Sequence, residues 1–198
     1  MRIPLGERCV GFQKYDGSNL RWEWSRKAGW YKHGTRHRLF GVDEAPYNQA
    51  IPIFKEQLAE TIEKIVRDEY KGITDFIVYT EFFGENSFAG THVDEPKKLK
   101  LIDVWIPRKS FIIPKRFIAL FGIYAFAPDV LYEGNLNTEL ISQVRTGQHH
   151  QHSPLHLREG MVCKGTDRRG QQWVVKIKTD AYLSRLRGKF GADWIKYV

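Results

Sequence analysis

The segment with the strongest local signal is Lys14-Tyr15-Asp16-Gly17-Ser18-Asn19. Its centre has the chemistry of a turn, because Gly17 tolerates a positive φ and the side chains of Asp16 and Ser18 can bond to nearby backbone. The residues around it, Phe12 on one side and 20–24 on the other, alternate in polarity like half-buried strands. Taken alone, this pattern predicts a surface hairpin with a solvated lysine.

The composition indicates one globular domain. The chain has 198 residues, of which 42% are hydrophobic, enough for a substantial core and too many for a disordered segment. No apolar run approaches the roughly 20 residues of a membrane span, and residues 1–6 do not resemble a signal peptide. The two cysteines, Cys9 and Cys163, form no disulfide framework. We therefore expect both to be small buried residues of a cytoplasmic protein.

The charge is positive and unevenly placed. The net charge is +8, and residues 164–198 carry nine Lys/Arg against three Asp. A second basic zone, residues 21–38, is interleaved with Trp22, Trp24, Trp30 and Tyr31. Basic side chains among aromatic ones suit a polyanion whose bases can stack, although a solvated basic face has the same composition.

Hydrophobic periodicity gives the secondary structure. Strands are predicted at residues 9–14, 19–40 (with a turn at 27–29), 73–83, 99–106, 160–165 and 171–178, the last two as a hairpin. Helices are predicted at 52–70, where Phe54, Leu58, Ile62, Ile65 and Val66 form an apolar stripe, after Pro114, after Asn137 and from Asp180. His149, His150 and His152 lie in a predicted loop without zinc-site spacing, so no metal site is expected there.

Four later segments complete a pattern with Lys14-Tyr15-Asp16-Gly17. They are Glu81-Phe82-Phe83-Gly84, Leu101-Ile102-Asp103-Val104, Glu159-Gly160-Met161-Val162-Cys163-Lys164 and Trp173-Val174-Val175-Lys176-Ile177-Lys178. In order and spacing the five resemble motifs I, III, IIIa, IV and V of the covalent nucleotidyltransferases, which are ATP-dependent DNA ligases, RNA ligases and mRNA capping enzymes. Ser18-Asn19 after the glycine resembles the RNA ligase branch.

The resemblance implies a fold and a reaction. The fold would be α+β, a nucleotidyltransferase (ATP-grasp-like) adenylation domain with antiparallel sheets flanked by helices, and it would occupy residues 1–198 as a single domain. In the implied reaction a lysine attacks the α-phosphate of ATP and becomes linked to AMP. The AMP then passes to a nucleic acid 5′-phosphate, and a 3′-hydroxyl displaces it to seal the strand.

The resemblance also implies roles for individual residues. The catalytic residues would be Lys14, the nucleophile, with Lys176 and Lys178, which share one strand face and would stabilise phosphate charge. The ATP-binding residues would be Gln13, Asp16, Gly17, Asn19, Arg36, Glu81, Phe83, Ile102, Asp103 and Glu159. Glu159 would also bind Mg²⁺ or Mn²⁺. Ile102 stands where the family usually has an aromatic that stacks on adenine, so either Ile102 or Phe83 would contact the base.

The implied partners are RNA or DNA with 5′-phosphate and 3′-hydroxyl ends. Family members generally carry a second domain after motif V, whereas about twenty residues follow Lys178 here. We therefore expect a minimal ligase, or one that depends on a protein partner for that domain. The alternatives are a minimal ATP-dependent DNA ligase and a catalytically silent nucleic-acid-binding module on the same fold. A capping guanylyltransferase is less favoured, because it too would need the second domain.

Overall fold

A computed structural model describes residues 3–148 and 158–197, which form two antiparallel sheets with flanking helices. The strands are β1 (Arg8–Lys14), β2 (Ser18–Ser25), β3 (Gly29–Thr35), β4 (Asp75–Phe83), β5 (Lys98–Ile106), β6 (Ser110–Phe111), β7 (Val130–Asn135), β8 (Gly160–Thr166) and β9 (Gln172–Lys178). One sheet has the order β7-β1-β8-β9 and the other the order β3-β2-β4-β5-β6. The prediction of antiparallel sheets with flanking helices is confirmed.

The helices are α1 (Ala50–Phe54), α2 (Glu60–Glu69), α3 (Pro114–Phe121), α4 (Thr138–Arg145) and α5 (Asp180–Phe190). A π-helical turn, Lys55–Ala59, joins α1 to α2, so the predicted helix over 52–70 is one continuous helical segment. Its apolar stripe is buried in the same core as the five-stranded sheet. Phe54 stacks on Trp22 with ring centroids 3.9 Å apart. Asn137 caps α4 as expected, since its side chain accepts from the Leu140 amide.

The stretch around Lys14, which taken alone favours a surface hairpin, does not form one, because the strands on either side of it belong to different sheets. β1 pairs with β7 and β8, whereas β2 pairs with β3 and β4. The Lys14–Asn19 stretch is therefore the crossover between the sheets. Gly17 is required by a close approach, since a Cβ there would lie 2.5 Å from the carbonyl oxygen of Phe82. Alternation along a strand reveals its buried face but not its partner strand.

Of the four aromatic residues of the basic zone, Trp22 and Trp24 lie in the core, Trp30 packs against it, and Tyr31 is 53% exposed. Trp22 and Trp24 are 3% and 2% exposed, and Trp24 stacks on Phe76. Trp30 packs edge-on against Phe54 and Phe76. Base stacking, one of the two interpretations of this zone, is therefore excluded for Trp22 and Trp24, because their rings already fill the interior.

A second, smaller core lies between the four-stranded sheet and helix α4. Cys9 and Cys163 are both free and buried there, as predicted. Within the described part of the chain, none of the helices combines the length and apolar character of a membrane span. The histidines at 149, 150 and 152 lie outside the described residues.

Candidate active site

A cavity of about 560 Å³ lies between the two sheets, a volume typical of small-molecule sites. Of the residues predicted to act on ATP, those lining this cavity are Gln13, Lys14, Gly17, Asn19, Arg36, Glu81, Ile102, Asp103 and Lys176. Asp16, Phe83, Glu159 and Lys178 are not among its lining residues. The fold therefore brings most of the predicted set to one place from strands far apart in sequence.

Lys14 is held at the end of β1 by an acidic partner on the neighbouring strand. In the β1–β8 pairing Lys14 lies opposite Gly160, and its ammonium forms an ion pair with the Glu159 carboxylate. Lys178 Nζ lies 3.9 Å from the same carboxylate oxygen. Gly160 has φ 151°, and a Cβ there would lie 1.9 Å from the carbonyl oxygen of Ile177. Only glycine fits at this point, directly after Glu159.

Burial shifts the pKa of Glu81, which lines the cavity, and of Glu159 and Lys178 beside Lys14. Burial raises the pKa of Glu81 to about 7, opposed by the charge of Lys14 and reinforced by Glu159. Burial also raises the pKa of Glu159, against the opposing charge of Lys14. The pKa of Lys178 is lowered by burial, against the attraction of Glu159. Such perturbed groups beside a cavity are typical of functional sites.

Apolar side chains also line the cavity. Ile102 of β5 and Val162 of β8 both line it, together with Phe12, Pro128 and Val174. Among the described residues, Gln13 Oε1 is buried without a hydrogen-bond partner. Phe83 lies elsewhere: it is 3% exposed and stacks on Tyr15, with ring centroids 4.7 Å apart. Of the two residues expected to contact the base, Ile102 is the one at the cavity.

A second lysine–acid pair was missed in the sequence. Lys164 lines the cavity and forms an ion pair with Asp103, with 2.8 Å between Nζ and Oδ1. It also donates to the backbone carbonyl of Ile102. The sequence did contain a signal for Lys164. It lies two residues after Val162 on β8, so the two side chains point to the same face of the sheet. This pair ties β8 to β5 across the two sheets.

Two arginines near the cavity differ in their surroundings. Arg36 is exposed and lines the cavity, whereas Arg38 forms an ion pair with Glu44 at 2.5 Å.

The basic residues of the C-terminal segment, after residue 180, also have partners within the chain. Arg187 lies over the Trp194 ring at 4.3 Å, and Lys189 donates to the Phe88 carbonyl at 2.6 Å. These tail cations help to hold α5 as well as contributing positive charge.

Comparison with solved structures identifies the fold. The chain matches structures of RNA ligase from Naegleria gruberi over 92% of its length with a TM-score of 0.65. These include a mutant with ATP and Mn at 14% identity, the enzyme with PPi at 15% and a mutant with AMP and Mn at 15%. The chain spans about half, 52%, of the length of those chains. Neither a protein-family model nor a curated protein matches the sequence. This likeness shows that the chain has the fold of these RNA ligase structures.

Proposed function

We propose that this chain is an ATP-dependent polynucleotide ligase of the RNA ligase type, which joins 5′-phosphate and 3′-hydroxyl ends through AMP linked to Lys14. The observation that carries the proposal is the position of Lys14 at a cavity lined by apolar side chains and several cations. Lys14, Arg36, Lys164 and Lys176 line it, against the acids Glu81 and Asp103. An excess of positive charge beside apolar side chains suits a nucleotide.

The cavity residues fit the adenosine part of ATP. The buried, unpartnered Gln13 Oε1 can accept a hydrogen bond from the exocyclic amino group of adenine. Ile102 and Val162 would pack on the faces of the base, and the Glu81 carboxylate would accept a ribose hydroxyl. This observation on Gln13 Oε1 does not depend on the motif resemblance. It rests on the general rule that a buried polar atom has a hydrogen-bond partner.

The cations fit the phosphates. In the proposed step, Lys14 Nζ attacks the α-phosphorus, a P–N bond forms, and the bond to the β-phosphate oxygen breaks as pyrophosphate leaves. Lys176 and Lys178 would stabilise the charge that develops on the phosphate oxygens. The Lys14 ammonium must lose a proton before it attacks, and its contact with the Glu159 carboxylate holds the amine in place until then.

A divalent metal fits the site only together with the nucleotide. Within residues 3–148 and 158–197, no group of three or more His, Cys, Asp or Glu side chains could hold a metal ion. Glu159 would be the protein ligand for Mg²⁺ or Mn²⁺, with phosphate oxygens and water completing the coordination, as Mg²⁺ commonly requires. When bound, the metal would neutralise charge on the phosphates.

The second half of the reaction requires a nucleic acid. RNA or DNA ends would approach over the exposed positive side chains, among them Arg36 and Lys176 at the cavity. The ligase chains that share this fold are about twice as long, so this step is proposed for this chain alone or together with a further region or a partner protein. A minimal DNA ligase would use the same adenylation site, and RNA and DNA ends tested side by side would distinguish the two.

Labelling with α-³²P-ATP and Mg²⁺ tests the proposal. We expect the wild-type chain to carry label through denaturing electrophoresis, and Lys14→Ala to carry none. Lys14→Arg should also fail, because arginine does not deprotonate to attack. Lys64→Ala, at an exposed lysine of α2, is the matched control and should label normally. Absence of label on the wild type would favour the silent binding module instead.

A further inference from the structure

Asp16 lies outside the cavity and joins three separate elements of the chain. It is 1% exposed, and its carboxylate accepts hydrogen bonds from the Ala89 amide, from the amide and hydroxyl of Thr91, and from the Tyr182 hydroxyl. The crossover that carries Lys14 is thus tied to the loop after β4 and to helix α5. The carboxylate is saturated by these donors, so it is not available to a nucleotide.

Tyr182 connects the same crossover back to Lys14 by a second route. Its hydroxyl lies 3.0 Å from Asp16 Oδ1, and its amide donates to the Thr179 hydroxyl at 3.1 Å. The Thr179 amide donates to the Glu159 carbonyl at 2.9 Å, and the Glu159 carboxylate holds the Lys14 ammonium. These contacts form a closed ring that begins and ends at Lys14.

Two contacts of this ring involve charged groups, namely the ion pair of Lys14 with Glu159 and the hydrogen bond from Tyr182 to the Asp16 carboxylate. Hydrogen bonds to a buried carboxylate are charge-assisted, and loss of one donor leaves that charge undersatisfied. Tyr182 is 3% exposed and packs with Ala89 and Leu186, so its ring is fixed by apolar contacts on one side. Burial and the nearby Glu159 and Asp16 raise the pKa of Tyr182, which keeps its hydroxyl a donor.

We propose that Tyr182 is a positioning residue for Lys14, acting through Asp16 to fix the direction from which the amine meets the α-phosphate. This inference rests on the proposed function. Tyr182 is not among the residues that line the cavity. It should therefore affect the rate of Lys14 adenylylation and not the affinity for ATP, because small errors in the placement of a nucleophile are costly.

The variant Tyr182→Phe removes the hydroxyl and keeps the ring, with its apolar packing and its contact with Lys178 at 5.3 Å. At saturating ATP we expect self-labelling to slow by about tenfold. The KM for ATP should stay within about twofold of the wild-type value. The matched control is Tyr31→Phe, which removes an exposed hydroxyl that bonds to Glu23 at 3.3 Å. An unchanged rate, or an altered KM at an unchanged maximal rate, would overturn the proposal.

Hydrogen–deuterium exchange without ATP tests the ring independently of activity. In Tyr182→Phe the amides of Ala89 and Thr91 should exchange faster than in the wild type, and in Tyr31→Phe they should not. Unchanged exchange at both amides contradicts the ring whatever the labelling result. Failure of the proposed function would be seen in the wild-type chain, which would take no label. Failure of the positioning role would be seen only by comparing Tyr182→Phe with the wild type, so the two outcomes are distinguishable.

Discussion

Lys14 and Glu159 meet at one end of the β1–β8 pair, where the Lys14 ammonium forms an ion pair with a carboxylate that is 3% exposed. The strand register fixes this contact, since Lys14 lies opposite Gly160 and Glu159 directly precedes it. The first and fourth motif-like segments are therefore physically joined. Removing one partner of a buried ion pair destabilises the folded chain, because the remaining charge is left uncompensated.

The two lysines of β9 should differ in their effect on stability. Lys176 is exposed in the cavity, so Lys176→Ala should slow self-labelling by about 10²–10³-fold and leave the melting temperature unchanged. Lys178 is half-buried beside Glu159, so Lys178→Ala should slow labelling and also change the melting temperature. Labelling rates and melting curves check both, with Lys64→Ala as control. If both variants label normally and only melt earlier, the pair is structural.

Glu81 should make stability depend on pH. Because its folded-state pKa is raised to about 7, the folded chain binds more protons than the unfolded chain between about pH 4.5 and 7. The contribution of Glu81 to stability therefore falls as pH rises through this window and is constant above it. The variant Glu81→Gln removes this pH-dependent contribution to stability. The stability of Glu81→Gln relative to wild type should rise by about 2 kcal/mol between about pH 5 and pH 8.

Urea unfolding of both proteins at the two pH values measures this difference. The comparison cancels the pH dependence that wild type and variant share. The same relative stability at both pH values would show that Glu81 titrates in its ordinary range. It would then not be the perturbed acid of this cavity.

Trp22 should matter for folding and not for contact with nucleic acid. It is 3% exposed and stacked on Phe54, so Trp22→Ala should lower the free energy of unfolding by about 3–5 kcal/mol. Arg26→Gln, at an exposed position of the same basic zone, should leave stability nearly unchanged. Urea titrations check both. A Trp22→Ala protein of wild-type stability that binds RNA more weakly would restore the stacking interpretation.

The sequence predicted most of the elements because their patterns are local. The apolar stripe Phe54, Leu58, Ile62 and Val66 repeats at the helical period, and alternation marked β4, β5, β8 and β9. The partners of β1 and β2 could not be predicted, because pairing between distant strands leaves no local pattern. The alternation of residues 20–24 was compatible with the burial of Trp22, because the charged residues next to it in sequence face the other side of the sheet.

The candidate site was predictable to the extent that its residues stand in motif-like segments. Glu81, Asp103 and Lys176 came from that resemblance, and all line the cavity. The contacts of Asp16 and Tyr182 could not be predicted, because they depend on how α5 returns to the crossover. No sequence spacing encodes a contact of that kind.

The central claim is that Lys14 becomes covalently linked to AMP. Mass spectrometry of proteolytic peptides after incubation with ATP and Mg²⁺ tests it directly. We predict that one peptide, the one containing Lys14, gains the mass of an adenylyl group (AMP less one water), and that added pyrophosphate reverses the modification. AMP on a different residue, or an unmodified chain under conditions in which ATP is bound, would contradict the account.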